Sequence, residues 1–149
     1  MAMFPTNRGF VFFSRVAVAV AFSASILAIS GCGHEPFGYV KVQGKIHYED
    51  GTLIPASRIV VRFISQAPTP DRKITARPGD AEVNVKTGAF TNVTSHAFGD
   101  GIVPGEHKVV IVGAGDTVPE EYTKVETTPL TVNSKDSPFD LKIAKPTGK

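Results

Sequence analysis

The stretch VKVQGKIHY, residues 40–48, decides the fold prediction because its side chains alternate in character over nine consecutive positions. Apolar side chains or glycine occupy the even-numbered positions from Val40 to Tyr48, and polar side chains occupy the positions between them. Successive side chains of a β-strand point to opposite faces, so a period of two places all the apolar side chains on one face. The stretch therefore predicts a strand with one buried face and one polar face.

Six further segments carry strand signals of the same kind and are separated by turn residues. They are residues 58–64, 81–85, 90–93, 107–112, 129–132 and 139–143. The first of these, RIVVRFI, is more apolar than the stretch 40–48 and is expected to lie centrally in a sheet. The residues KTGA, 86–89, are typical of a hairpin connection. After residue 38, no window of helical length shows a clear repeat of 3.6 residues. The pattern predicts an all-β domain, an antiparallel β-sandwich of about seven strands.

The N-terminal segment has the three-part pattern of an export signal. Arg8 and Arg15 are the charged residues of the first fifteen, and residues 16–29 then run for fourteen positions without a charge. This apolar run is shorter than the roughly 20 residues that a membrane-spanning helix needs, and small residues follow it, as in a signal peptide. We predict a lipoprotein signal peptide at residues 1–31, a lipidated cysteine and tether at 32–38, and one domain at 39–149.

Cys32 is the only cysteine of the chain, so it cannot form a disulfide within the chain. The residues ISGC, 29–32, resemble the lipobox of bacterial lipoproteins, in which the cysteine sulfur receives a diacylglyceryl group. The resemblance implies that Cys32 carries a lipid that holds the protein on a membrane of the cell envelope, facing the periplasm or the cell exterior. The alternatives are an uncleaved anchor or an ordinary secretory signal with a spare thiol, and both still export the chain.

The charge balance argues against nucleic acid as a partner. The chain has 16 Lys and Arg and 14 Asp and Glu, and residues 1–31 contain two of the basic residues and none of the acidic ones. Removal of that segment leaves 14 basic and 14 acidic residues. The mature chain therefore has no excess of positive charge to attract a phosphate backbone.

The sequence carries no motif for catalysis or for a metal. No G-x-S-x-G elbow marks a nucleophile, and turns at Asp50 and Asp100 are interpreted as chain reversals because too few carboxylates lie near each to hold calcium. The histidines lack the spacing of metal-ligand pairs and are interpreted as solvated or edge residues. They are His34, His47, His96 and His107. We predict no catalytic residue, no metal and no cofactor.

The segment from Ser65 to Asp80 spends sixteen residues on a connection that a hairpin makes in two to five. Binding residues are often carried on such loops at the end of a rigid scaffold. Its basic side chains Arg72, Lys73 and Arg77 are the candidate ligand-binding residues, for an anionic group such as a polysaccharide carboxylate. The alternative is a tolerated insertion without a ligand.

Four motifs give a family resemblance. They are VQGKIHYEDGTLIP, VKTGAF, GDGIVPGEHKVVIV and VPEEY, in this order, and the resemblance covers about residues 40–143. The chain resembles the transthyretin-like, carboxypeptidase-regulatory-like lipoproteins of planctomycete-type bacteria. It departs from their pattern at two places. Lys86-Thr87 stand where the family more usually has an aspartate, and His107 stands where it often has an aromatic residue. The resemblance implies a transthyretin-like (prealbumin/Ig-like) sandwich and an envelope location rather than a defined activity.

The sequence as a whole predicts a non-enzymatic, lipid-anchored module for binding, adhesion or envelope organisation, with an envelope polysaccharide or protein as partner. A carbohydrate-binding module is one alternative. It would need an exposed row of aromatic rings, and for Tyr48, Phe98 and Tyr122 packing in the core or a hairpin is favoured over such a row. A transthyretin-related hydroxyisourate hydrolase is the other alternative, but its Tyr-Arg-Gly-Ser tail is absent from a chain that reads KPTGK at residues 145–149.

Overall fold

The computed structural model describes residues 37–68 and 75–147, and this part of the chain is built from seven β-strands. The strands are Gly44–Tyr48 (β1), Val60–Ser65 (β2), Gly79–Glu82 (β3), Ala89–Phe90 (β4), Glu106–Val112 (β5), Thr131–Asn133 (β6) and Phe139–Ile143 (β7). Short 3₁₀ turns lie at Gly115–Thr117, Glu120–Thr123 and Ser134–Asp136. The described residues contain no α-helix, and the predicted all-β fold is confirmed.

The strands form two sheets that enclose one apolar core. The order is β4-β1-β7 in the three-stranded sheet and β3-β2-β5-β6 in the four-stranded sheet. As predicted, β2 is a central strand, with β3 on one side and β5 on the other. Among the residues that the structure describes, no helix is long and apolar enough to cross a membrane.

Phe63 on β2 joins the two sheets at the centre of the core. Its ring centroid lies 5.9 Å from that of Phe90 on β4 and 5.7 Å from that of Phe139 on β7. Phe63 is fully buried, and the alternation seen in the sequence sends Ile46 and Tyr48 of β1 into the same core. The alternation in residues 40–48 therefore predicted the buried face of this segment correctly.

One strand pair departs from the predicted antiparallel arrangement. β1 and β7 run parallel, with Gly44 opposite Phe139 and Tyr48 opposite Ile143, whereas the other strand pairs of the described chain are antiparallel. A parallel pair requires a long crossover connection. Here the connection between β1 and β7 consists of strands β2 to β6, most of which belong to the four-stranded sheet. Local turn signals could not indicate a pairing between strands so far apart in sequence.

Two predicted elements have different bounds in the structure. β1 begins at Gly44 rather than at Val40, because Val40 pairs instead with Ile102 in an isolated bridge. The expected hairpin around residues 86–89 has a tight turn, in which Gly88 N–H donates to the Asn84 carbonyl at 2.8 Å. Its two arms are joined by isolated bridges between Val83 and Phe90 and between Asp80 and Thr94, although β3 belongs to one sheet and β4 to the other.

His107 corrects the interpretation that the histidines are solvated or edge residues. It is 1% exposed and lies in β5 between Ser65 of β2 and Val132 of β6. Burial lowers the pKa of His107, although a hydrogen bond between its Nδ1 and the Gly105 carbonyl (3.1 Å) acts in the opposite direction. His107 points inward because it lies two positions before the buried Val109 and therefore on the same face of the strand.

Candidate functional site

The residues singled out in the sequence lie mostly outside the described part of the chain. Cys32 precedes residue 37, and Arg72 and Lys73 fall in the gap between residues 68 and 75. Arg77 is described and exposed, two residues before β3 begins. The connection between β2 and β3 covers residues 66–78, somewhat shorter than the predicted loop.

A groove lies at the end of the three-stranded sheet where β1 and β7 begin and β4 ends. The register creates this end, because Gly44 of β1 is opposite both Phe90 of β4 and Phe139 of β7. A depression of about 410 Å³ there is lined mainly by apolar atoms. Its lining residues are Gln43, Gly44, Lys45, Ala89, Phe90, Thr91, Pro138, Phe139 and Asp140.

Gly44 shapes the base of this depression. A Cβ atom at this position would lie 2.6 Å from the Phe139 carbonyl oxygen and 2.7 Å from Cζ of Phe90. Both distances are far below van der Waals contact, so a side chain there would displace the backbone of β7 or the ring of Phe90. Glycine at position 44 therefore lets the Phe90 ring and the Phe139 backbone pack closely against β1.

A polar depression of about 350 Å³ adjoins the apolar one. Both are lined by Gln43, Thr91 and Pro138, and we call the two together the strand-end groove. The further residues of the polar part are Lys41, Val42, Asn92, Val93, Gly99 and Ser137. Its wall is held by hydrogen bonds between strands: Gln43 N–H donates to Ser137 Oγ at 3.1 Å, and Phe139 N–H donates to the Gln43 carbonyl at 2.9 Å. The groove thus combines an apolar base with a polar extension, as small ligand sites commonly do.

A tight loop at residues 94–101 borders the polar part of the groove through Gly99. The Asp100 carboxylate accepts backbone N–H groups from Ser95 (2.9 Å), His96 (3.0 Å) and Ala97 (2.8 Å). Partial burial acts to raise the pKa of Asp100, but these hydrogen bonds outweigh it and the pKa is lowered. The loop is therefore closed around an ionised carboxylate. An aspartate at position 100 thus has a structural role, as the acceptor for three backbone N–H groups of the loop.

Phe98 projects from the tip of this loop and is 85% exposed. The aromatic platform suggested as an alternative is not formed, because Tyr48 and Tyr122 are buried in the core at 4% and 5% exposure. The preference for packing is thus confirmed for the two tyrosines and wrong for Phe98. Sequence reasoning missed its exposure because hydrophobicity alone does not distinguish a loop tip from a core position.

The loop is joined to the beginning of the described chain. Val40 and Ile102 exchange backbone hydrogen bonds at 2.8 and 3.0 Å. Gly101 lies against this pair with φ +100°, and a Cβ there would be 1.9 Å from the Val40 carbonyl oxygen. The segment that follows the predicted tether and the loop that carries Phe98 therefore lie at the same end of the domain.

The remaining polar clusters have structural roles. On the outer face of the three-stranded sheet, His47 Nδ1 contacts the Tyr48 carbonyl and Nε2 contacts Asp140 Oδ1, both at 2.7 Å. These two acceptors raise the pKa of His47, the Tyr48 carbonyl more than Asp140. Asp50 accepts from Thr52 and pairs with Lys145, which holds its pKa well below the usual range. Within the described residues, no three His, Cys, Asp or Glu side chains form a group that could hold a metal.

A larger cleft of about 770 Å³ lies near the 3₁₀ turns at residues 115–123. Its walls include Pro146 and Thr147, the last described residues of the chain, together with the acidic residues Asp116 and Glu120. Glu120 already pairs with Lys124. We favour the strand-end groove as the candidate site because paired strands, rather than a terminal segment, form its base.

No protein-family model, curated protein or solved structure matches this chain. The transthyretin-like and carboxypeptidase-regulatory-like resemblance stays a prediction that rests on its four motifs.

Proposed function

We propose that this chain is a non-enzymatic, lipid-anchored binding module of the cell envelope and that the strand-end groove binds its partner. The observation that carries the proposal is the apolar depression over Gly44, which continues into a polar wall at Gln43 and Asn92. An apolar base accepts an apolar group, and the polar wall can pair with hydrogen-bonding groups beside it. The transthyretin-like motifs of the sequence agree with such a scaffold.

The groove favours an envelope protein over a polysaccharide as partner. A segment of a partner protein can place an apolar side chain above Phe90 and Phe139 while its backbone faces the polar residues of the groove. A polysaccharide would gain less from the apolar base, and the single exposed ring at Phe98 is not the row of rings that sugar stacking favours. An envelope protein is therefore the partner that we propose.

The anchor is proposed from the sequence around Cys32. One acyl chain gives only marginal membrane binding, whereas two or three hold a protein stably. Changing Cys32 to Ala should leave a precursor that is not lipidated and is not cleaved before residue 32, as measured by mass spectrometry. An unmodified thiol at Cys32 in the wild-type protein would contradict the anchor.

The groove is tested by photo-crosslinking in the cells that produce the protein. A photoreactive residue at Thr91, which is exposed at the rim shared by the two depressions, should capture a discrete protein. The same residue at Thr131, exposed on β6 of the other sheet, is the matched control and should not capture it. The Ala89→Arg change, which fills the apolar part, should abolish the Thr91 adduct. Equal adducts at both positions, or an adduct that survives Ala89→Arg, would refute the groove as the binding site.

A further inference from the structure

We propose that the loop at residues 94–101 is a second membrane contact, in which the Phe98 ring enters the boundary between headgroups and acyl chains of the bilayer that holds the Cys32 lipid. The inference rests on the lipid anchor of the proposed function and adds to it an orientation of the domain on the membrane. The partner that the loop fits is a bilayer surface containing anionic lipid.

The first argument is the rigid presentation of an apolar ring to solvent. Phe98 is 85% exposed, while the loop beneath it is fixed by the three N–H groups that Asp100 accepts and by a hydrogen bond from Ser95 Oγ to the Gly101 carbonyl at 2.7 Å. A ring on a fixed loop loses little conformational entropy when it is buried. Apolar side chains of peripheral proteins enter this boundary region.

The second argument is the position of the loop relative to the anchor. Val40 lies eight positions after Cys32, and a fully extended chain spans at most about 29 Å over that distance. Val40 is hydrogen-bonded to Ile102, and Phe98 lies only four residues before Ile102, within about 14 Å along the chain. The end of the domain that carries Phe98 is therefore the end that a short tether keeps close to the bilayer.

The third argument is the charge around the loop. Lys41 is exposed next to Val40, and Arg77 is exposed two residues before Gly79. Gly79 lies against the loop, since a Cβ placed there would be 2.9 Å from Ser95 Oγ. Basic side chains near a membrane are attracted to anionic headgroups. The Asp100 carboxylate of the loop is turned toward its own backbone donors, which limits its repulsion of the same headgroups.

The test uses the full chain, which contains no tryptophan, so that Phe98→Trp introduces one fluorophore at the loop tip. The lipidated variant is reconstituted into phosphatidylethanolamine and phosphatidylglycerol vesicles, with or without bromine on the acyl chains. Leu53→Trp is the matched control, because Leu53 is 41% exposed and follows the opposite end of β1. We expect brominated lipid to quench Trp at position 98 and to leave Trp at position 53 unquenched.

A second variant measures the contribution of the ring. Phe98→Ser should transfer between vesicles about tenfold faster or more, because burial of one Phe side chain in an apolar phase is worth at least a factor of ten. Absence of quenching at position 98, or equal quenching at both positions, would overturn the inference. A blue-shifted emission at position 98 without quenching would also overturn it, since a protein surface or a second copy would then cover the ring.

Failure of the anchor is recognised separately, by the mass of the Cys32 residue in the same preparation. If Cys32 carries lipid and Trp at position 98 is not quenched, the second contact is wrong and the anchor stands. If Cys32 carries no lipid, the proposed anchor is wrong, and the second contact falls with it because the tether no longer ends at a bilayer.

Discussion

Replacing Asp100 by alanine is expected to release the loop that presents Phe98 without unfolding the sandwich. The carboxylate accepts three backbone N–H groups, and the donors of His96 and Ala97 are exposed whereas that of Ser95 is partly buried. A hydrogen bond to a charged group contributes about 1.5–3 kcal/mol, and much of this is recovered when water replaces the carboxylate at an exposed donor. We therefore expect the closed loop to lose about 2 kcal/mol relative to the open one.

Hydrogen exchange at the loop amides measures this loss. A change of about 2 kcal/mol in local opening lowers the protection of the Ser95 and Ala97 amides by roughly 30-fold. The amide of Val109 in the buried strand β5 is the internal control and should keep most of its protection. Unchanged exchange at the loop amides in Asp100→Ala would refute the role of the carboxylate, and an equal loss at Val109 would show that the whole domain is destabilised.

The pH dependence of the same amides gives an independent check. The pKa of Asp100 is lowered in the folded protein from its ordinary value of 3.8, so the stabilisation by the carboxylate is fully present above that value. It should be lost as the pH falls through the lowered folded-state pKa, because the protonated carboxyl no longer accepts all three N–H groups. Asp100→Ala should show no such acid-dependent loss, and an identical acid profile in both proteins would contradict the assignment.

Three further predictions concern the scaffold. Gly101→Ala should lower the free energy of unfolding in urea by about 2–3 kcal/mol, because the new Cβ would overlap a backbone carbonyl, and an unchanged midpoint would argue against this close approach. Phe63→Ala should cost about 3–5 kcal/mol in thermal or urea unfolding, since its ring is fully buried between the sheets, and a loss below 1 kcal/mol would contradict its central place. An NMR titration should give His47 a pKa above 6.5, raised by the Tyr48 carbonyl and by Asp140. The linked stability is present below pH 6.5 and lost as the pH rises through the raised pKa, and Asp140→Asn should reduce both effects.

Patterns within one strand predicted the fold well, because they depend on neighbouring residues. The alternation in residues 40–48 identified the face that carries Ile46, and the apolar run at 58–64 identified a central strand. The same alternation places His107 in phase with Val109, so its burial could have been read from the sequence. In each of these cases the signal is the period of two along a strand.

The strand-end groove could not be predicted in the same way. It combines Gly44, Phe90 and Phe139, which come together only through strand pairing between distant parts of the chain. The one local signal was a glycine at an inward-facing position of β1, where a larger apolar side chain would be expected. Turn residues at positions 99–101 indicated a chain reversal, but nothing in their types showed that the loop would hold an aromatic ring in solvent.

The parallel pairing of β1 with β7 also determines when the domain can finish folding. Gln43, just before β1, is hydrogen-bonded to Ser137, 94 residues further along the chain. Contacts of such sequence separation slow folding, because a long stretch of chain must be ordered before they form. If the chain is exported from its N-terminus, β1 emerges early with only the short strand β4 as a nearby partner, and the three-stranded sheet closes when the final strand has crossed. An exported chain would then remain unfolded during its passage, because the three-stranded sheet lacks β7 until the end of the chain arrives.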